Sequence, residues 1–201
     1  METGHTMTSQ SLVQKKAPAF KAEALIGEEF KTISSTDFKG KWLCLFFYPL
    51  DFTFVCPTEI TAFDAAYKSF KEVGCEVVGS SVDSKFSHLA WAKTPRKEGG
   101  IGKLQFPLLA DLTKKVGHDY GVLLEDGVTL RGLFLINPEG VVQYQLVHDL
   151  GIGRNVEEVL RVLKALQETA KTGEVCPANW TPGKKTMKPD PTGSKEYFHQ
   201  S

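Results

Sequence analysis

From Trp42 to Tyr48 the chain reads Trp-Leu-Cys-Leu-Phe-Phe-Tyr, and Pro49 closes the run. An apolar stretch of this length with no alternation is a strand buried on both faces, and a strand of that kind needs a layer packed on each side. The loop Leu50 to Val55 follows. Beyond it Ile60, Phe63, Tyr67 and Phe70 recur at helical spacing, and Gly74 stands past the last of them. The spacing predicts an amphipathic helix over roughly Pro57 to Glu72, with Pro57 in the first turn, where its missing N–H costs nothing. A buried strand that feeds a helix in this way is the start of an α/β fold.

The alternation continues. Cys75 to Ser81 reads as a second short strand, Ser84 to Thr94 as a helix opened by a serine cap, Phe106 to Ala110 as a third strand, and Thr113 to Tyr120 as a helical stretch. Leu130 to Ile136 and Val141 to Val147 flank the turn Asn137-Pro-Glu-Gly140 and predict a β-hairpin, so the sheet is expected to be mixed. The last long helix is expected to begin at Asn155, capped by that side chain with Glu158 reciprocating. Val156, Val159, Leu160, Leu163 and Leu166 form its buried stripe, and it should end near Gly173. Residues 174 to 201 hold prolines and lysines without periodicity and are read as an irregular arm. Residues 1 to 12 are read as a disordered or extraneous N-terminus, residues 13 to 173 as the folded domain, and residues 174 to 201 as a C-terminal arm.

Charge and cysteine content narrow the function. Across 201 residues, 24 Lys and Arg balance 24 Asp and Glu, which leaves no basic excess to draw nucleic acid or an anionic membrane. No apolar stretch approaches a membrane span, and the first residues lack a signal-peptide core, so a soluble, cytoplasmic protein is expected. The four cysteines, Cys44, Cys56, Cys75 and Cys176, are too few for a disulfide scaffold and contain no C-x-x-C pair. His88, His118 and His148 are scattered without ligand spacing, and no metal or cofactor is expected.

Cys56 stands at the junction between the buried strand and the helix, the edge at which open α/β sheets place their sites. Unpaired N–H groups and the positive end of the helix dipole favour an anion there, and a thiolate is such an anion. Thr53 can set its hydroxyl beside the sulfur. A packed structural cysteine is the alternative, but it has no need of a hydroxyl neighbour. Thioredoxin-like enzymes carry C-x-x-C at this place, whereas here Glu59 holds the fourth position, so a second thiol has to come from elsewhere.

Pro49-x-x-x-Thr53-x-x-Cys56, within Phe-Tyr-Pro-Leu-Asp-Phe-Thr-Phe-Val-Cys-Pro-Thr-Glu, closely resembles the peroxidatic motif of typical two-cysteine peroxiredoxins. The resemblance continues through Ser-Val-Asp-Ser84, His88-Leu-Ala-Trp91, Leu130-Arg-Gly-Leu-Phe134 and Glu174-Val-Cys-Pro177, from about Val13 to the end. It implies a thioredoxin-like fold with a mixed central sheet flanked by helices and a C-terminal extension. It also implies a thiol peroxidase that reduces hydrogen peroxide and organic hydroperoxides, with thioredoxin as reductant. On that resemblance Cys56 attacks the hydroperoxide, Thr53 and Arg131 address its oxygens, Pro49 shields the sulfur, and Glu59 and Arg154 orient Arg131. Cys176 of the partner subunit resolves the sulfenic acid in an antiparallel homodimer, with five dimers forming a ring. From spacing alone Arg131 reads as a surface strand arginine. Cys44 and Cys75, in apolar strands, read as core.

Gly99-Gly-Ile-Gly102 and Tyr197-Phe198 resemble the features of family members that excess peroxide inactivates readily, with Ile101 in place of the usual Leu. A tail helix bearing the aromatic pair would slow the unfolding that brings Cys56 to Cys176, leaving time for a second oxidation. An ordinary glycine loop and an ordinary tail anchor are the plainer readings. The resemblance also carries a second function of a different class, a ring-forming holdase chaperone or redox relay after overoxidation.

Overall fold

The computed structural model describes residues 11–199. In chain order, β1 (Lys21–Ile26) and β2 (Glu29–Ser34) form a hairpin, and β3 (Trp42–Phe47), α1 (Cys56–Glu72), β4 (Cys75–Ser81), α2 (Lys85–Lys93) and β5 (Leu108–Ala110) alternate. The short α3 (Lys115–Asp119) precedes the hairpin β6 (Arg131–Ile136) and β7 (Val142–His148), and α4 (Val156–Thr172) and α5 (Gly193–Phe198) complete the order. Among the described residues the strands make one mixed sheet in the order β2-β1-β5-β4-β3-β6-β7. The pairs β3·β4 and β4·β5 are parallel, and the others are antiparallel.

Burial of β3 on both faces explains its composition. Leu45 and Phe47 join Val78, Leu109, Phe134, Ile136 and Val142 in a core on one face of the sheet. On the other face Phe46 stacks on Phe63 of α1, with centroids 4.3 Å apart, and meets Phe106 edge-on at 5.8 Å. A side chain at position 79 of β4 has no room, because a Cβ there would come within 2.8 Å of both Phe46 and Leu108. Glycine is what lets the ring lie flat against the sheet.

Register decides where the loops meet. β3 and β4 run parallel from Trp42↔Cys75 to Phe47↔Ser80, so both end at the same edge. β6 runs against β3, with Phe46 opposite Leu133, so β6 starts at that edge. β7 runs against β6, with His148 opposite Arg131, so β7 ends there too. Residues 49–56, Arg131 and residues 149–154 are thereby gathered at the carboxyl end of β3.

Several expectations shift in detail. The strand predicted from Phe106 is confined to Leu108–Ala110, since Pro107 has no N–H for the ladder. The helix predicted from Thr113 begins only at Lys115, because Lys114 takes a left-handed φ of 60°. The β1–β2 hairpin turns at Gly27, whose φ of 63° suits a two-residue hairpin turn, and its outer strand is charged and mostly exposed, so it carries no buried-strand pattern.

The chain divides into two compact units between Arg154 and Asn155. In the second, Asn155 caps α4 by accepting from the Glu158 amide at 3.0 Å, and Gly173 ends it at φ 71°. Glu158 does not reciprocate. Its carboxylate is taken by Arg161, at 2.6 and 2.8 Å, which offers a charged fork where Asn155 offers a single amide. Val156, Val159 and Leu163 are buried, whereas Leu160 and Leu166 are half-buried. The arm is more ordered than its composition predicts. Val175 and Met187 exchange two backbone hydrogen bonds, Trp180 donates to the Lys184 carbonyl at 3.0 Å, and Arg161 holds the Trp180 carbonyl at 2.7 Å. The expected N-terminal stretch 1–12 lies, up to residue 10, outside the described residues, as do Gln200 and Ser201.

Candidate active site

Cys56 is the first residue of α1 and is fully buried. No side chain caps this helix start; the Thr58 and Glu59 amides turn back to the Val55 carbonyl at 3.0 and 3.3 Å, and Pro57 has no N–H to offer. Thr53 Oγ1 lies 2.8 Å from Cys56 Sγ and 2.9 Å from the Leu50 carbonyl. One hydroxyl hydrogen cannot serve both. With a thiolate, Thr53 donates to sulfur; with a thiol, the S–H donates to Thr53 and the hydroxyl closes the loop on Leu50. Pro49 is buried at the end of β3, where the loop begins.

Arg131, the first residue of β6, is 3% exposed and so is no surface arginine. Its Nη1 donates to Cys56 Sγ at 3.3 Å and to Glu59 Oε2 at 2.7 Å, and its Nε donates to the Leu150 carbonyl at 2.8 Å. These bonds fix the guanidinium plane and leave Nη2 with no partner among the described residues. Glu59, one turn into α1, also binds Arg154, which donates from Nε to Oε1 at 2.7 Å, from Nη2 to Oε2 at 3.0 Å, and from its backbone N–H to Oε1 at 2.8 Å. Arg154 Nη1 caps the carbonyls of Phe47 and Gly132 at 2.9 and 2.6 Å, and its guanidinium lies 5.3 Å from the Phe46 ring.

Burial pushes the Glu59 carboxyl up, but hydrogen bonds and charge from Arg154, with Arg131 behind, outweigh it and hold the group below the usual glutamate range. Glu59 is therefore an anion between two cations, and this buried cluster carries one surplus positive charge next to Cys56. The other strand cysteines are different. Burial drives the Cys44 thiol far up and the Cys75 thiol up to about 12, so both stay protonated and inert at neutral pH.

The AhpC/TSA family profile matches residues 13–145, and that of the C-terminal domain of 1-Cys peroxiredoxin matches residues 165–200. The chain is 60% identical over 189 residues to the mitochondrial thioredoxin-dependent peroxide reductase of Mus musculus, covering 94% of this chain and 74% of that protein. It is 57% identical over 187 residues to peroxiredoxin 2 of Drosophila melanogaster, covering 92% and 96% of the two chains. The reduced 2-Cys peroxiredoxin of Plasmodium vivax superposes with a TM-score of 0.92 at 50% identity, covering 94% of this chain and all of that one. The chain belongs to the two-cysteine peroxiredoxins of the AhpC/TSA family. Its fold is the thioredoxin-like fold of that family.

In this peroxiredoxin Pro49, Thr53, Cys56, Glu59, Arg131 and Arg154 all fall at one sheet edge. Cys176 belongs to the second unit, where it is half-buried; its thiol faces the Ala165 carbonyl at 3.6 Å, and Thr169 Oγ1 lies 3.7 Å from the sulfur. Gly99 and Gly102 adopt φ of 84° and 71°, Ile101 is fully buried, and Tyr197 and Phe198 lie in α5. The sequence reading missed a polar cluster beneath the loop, Tyr48, Asp51, Ser81, Asp83, Ser87 and His88. Asp51, two residues before Thr53 in a largely apolar loop, was one signal of it, and Ser81, Asp83 and His88 stand in stretches through which the resemblance runs. His118 and His148, by contrast, face Asp119 and the Ile152 carbonyl.

Proposed function

We propose that Cys56 is the peroxidatic nucleophile of this thiol peroxidase, and that Thr53 and Arg131 act directly on its substrate. The observation that carries the reading is the surplus positive charge of Arg131, Arg154 and Glu59 against the sulfur, which a Cys56 thiolate neutralises. The thiolate attacks the terminal oxygen of a hydroperoxide: an S–O bond forms, the O–O bond breaks, sulfur is oxidised, and the second oxygen leaves as hydroxide or alkoxide. Negative charge grows on that departing oxygen, and the unpartnered Nη2 of Arg131 is the donor for it. Thr53 orients the peroxide by accepting its O–H once its own hydrogen is committed. Pro49 keeps water from the sulfur, while Glu59 and Arg154 hold Arg131 in place.

The sulfenic acid then condenses with the thiol of Cys176, carried on the arm of residues 174–201 of a partner subunit, releasing water and forming an intersubunit disulfide. A thioredoxin dithiol reduces it, returning both thiols and leaving oxidised thioredoxin. The protein acts as an antioxidant and redox-signalling peroxidase, as a homodimer that assembles into a pentamer of dimers. Its compartment is one that holds thioredoxin, the cytoplasm on the sequence reading; the Mus musculus relative named above is mitochondrial. Among the described residues no helix is long and apolar enough to cross a membrane.

The test is thioredoxin-driven peroxide consumption with Cys56→Ser and Cys176→Ser. Loss of turnover in both, with a single fast peroxide reaction surviving in Cys176→Ser alone, is expected. Turnover that survives Cys56→Ser overturns the assignment.

A further inference from the structure

Asp51 lies in the loop between β3 and α1, and its side chain is 1% exposed. Oδ1 accepts from the Tyr48 hydroxyl at 2.9 Å, and Oδ2 accepts from Ser87 Oγ at 2.8 Å and faces His88 Nδ1 at 2.8 Å. Its backbone N–H donates to Asp83 Oδ2 at 2.8 Å, and Asp83 is held in turn by Ser81 Oγ at 2.7 Å. On the far side of the imidazole, Nε2 faces the Leu109 carbonyl at 3.3 Å. None of these contacts reaches Cys56.

The next residue is Phe52, at φ 54°. A bulky side chain in the left-handed region stays there only where its surroundings over-determine it. Two things do so. Its ring packs 5.7 Å from Trp91, and its neighbour Asp51 is bound by Ser87 and His88 of the same helix. Trp91 in turn donates from Nε1 to the Gly99 carbonyl at 2.8 Å and accepts from the Ile101 amide at its own carbonyl. One turn of α2 thus grips the loop immediately ahead of Thr53.

We propose that Asp51 is a positioning residue for the peroxide step: bound to Ser87 and His88 of α2 and to Tyr48 at the end of β3, it holds the strained Phe52 turn that sets Thr53 against Cys56 Sγ. The inference rests on the reading of Cys56 and Thr53 given above. It makes α2 part of the catalytic apparatus although no α2 side chain touches the sulfur. A loop relaxed at Phe52 swings Thr53 away from the approaching peroxide but leaves the sulfur with Arg131, so attack on peroxide suffers more than simple alkylation does.

The experiment compares two second-order rates at Cys56 in the prereduced full-length chain carrying Cys176→Ser. One is the rate with hydrogen peroxide, by stopped flow; the other is the rate with iodoacetamide, by mass spectrometry of the Cys56 peptide. Asp51→Asn is expected to lower the ratio of peroxide to iodoacetamide rates about tenfold or more, within the hundredfold that an ångström-scale misplacement costs. Ser87→Ala, which removes one donor from Oδ2 at a half-buried position, is expected to lower it about threefold in a chain that still folds. A ratio that stays at the parent value in a folded Asp51→Asn, or in Ser87→Ala if Asp51→Asn does not fold, overturns the inference; so does a parallel fall of both rates, the mark of a merely structural role. If the parent chain itself shows no preference for peroxide over iodoacetamide, the peroxidase reading fails with it.

Discussion

Glu59 sits between two guanidinium groups at 2% exposure, and its charge is what lets Arg131 and Arg154 share one pocket. Removing it leaves two buried cations uncompensated, so Glu59→Gln is expected to cost about 3–5 kcal/mol in denaturant unfolding and to slow the peroxide reaction. Acid probes the same contact. The folded carboxyl titrates below the ordinary value of 4.5, so its contribution is complete above that pH and is lost as pH falls through the lower folded value. The difference in stability between the wild type and Glu59→Gln should therefore shrink on acidification below 4.5; a constant difference contradicts the ion-pair account. Arg131→Lys keeps a charge but gives up the fork that reaches Leu150, Glu59 and sulfur together. It is expected to reduce the stopped-flow peroxide rate by about 10²–10³, close to the loss in Arg131→Ala. Cys44 and Cys75 should stay unlabelled by iodoacetamide at pH 8 until the chain is unfolded, since burial keeps both protonated.

At the level of elements, Asn155→Ala should cost about 1 kcal/mol, the usual worth of an N-cap side chain, read as a shifted denaturant midpoint at constant slope. Deletion of Glu196 to Ser201, which removes the second half of α5 with Tyr197 and Phe198, is expected to raise resistance to peroxide inactivation in a turnover assay; unchanged inactivation rules the helix out as a brake. Cys75–Ser81, the Ser84 cap and the Gly173 stop were legible because each is a local contest: burial pattern, capping oxygen, left-handed glycine. The first hairpin was not, because an edge strand such as Glu29–Ser34 is mostly exposed and shows no apolar run. The order in the arm was also hidden. A backbone bridge such as Val175 with Met187 depends on main-chain atoms that every residue possesses, so composition cannot announce it. At the site, Thr53 and Cys56 could be read from a three-residue spacing, whereas Arg131 is 75 positions away and is brought in by the antiparallel register of β6 on β3.

The whole molecule follows from that register. A parallel pair ending and an antiparallel hairpin starting at one edge put residues from three separate stretches of chain around a single sulfur, with α2 holding the loop from the side. On the proposed reading, resolution takes two chains. After one equivalent of peroxide, a non-reducing gel should show a covalent dimer that Cys176→Ser abolishes; a disulfide confined to the monomer refutes intersubunit exchange. The complete burial of Cys56 in the reduced protein has a consequence for selectivity. A nucleophile with no exposed surface is closed to large electrophiles, such as disulfides of other proteins or bulky maleimides, while a molecule of two oxygen atoms can still slip in. The reduced protein is therefore expected to react with hydrogen peroxide well ahead of a bulky maleimide, which competition labelling of Cys56 reads directly.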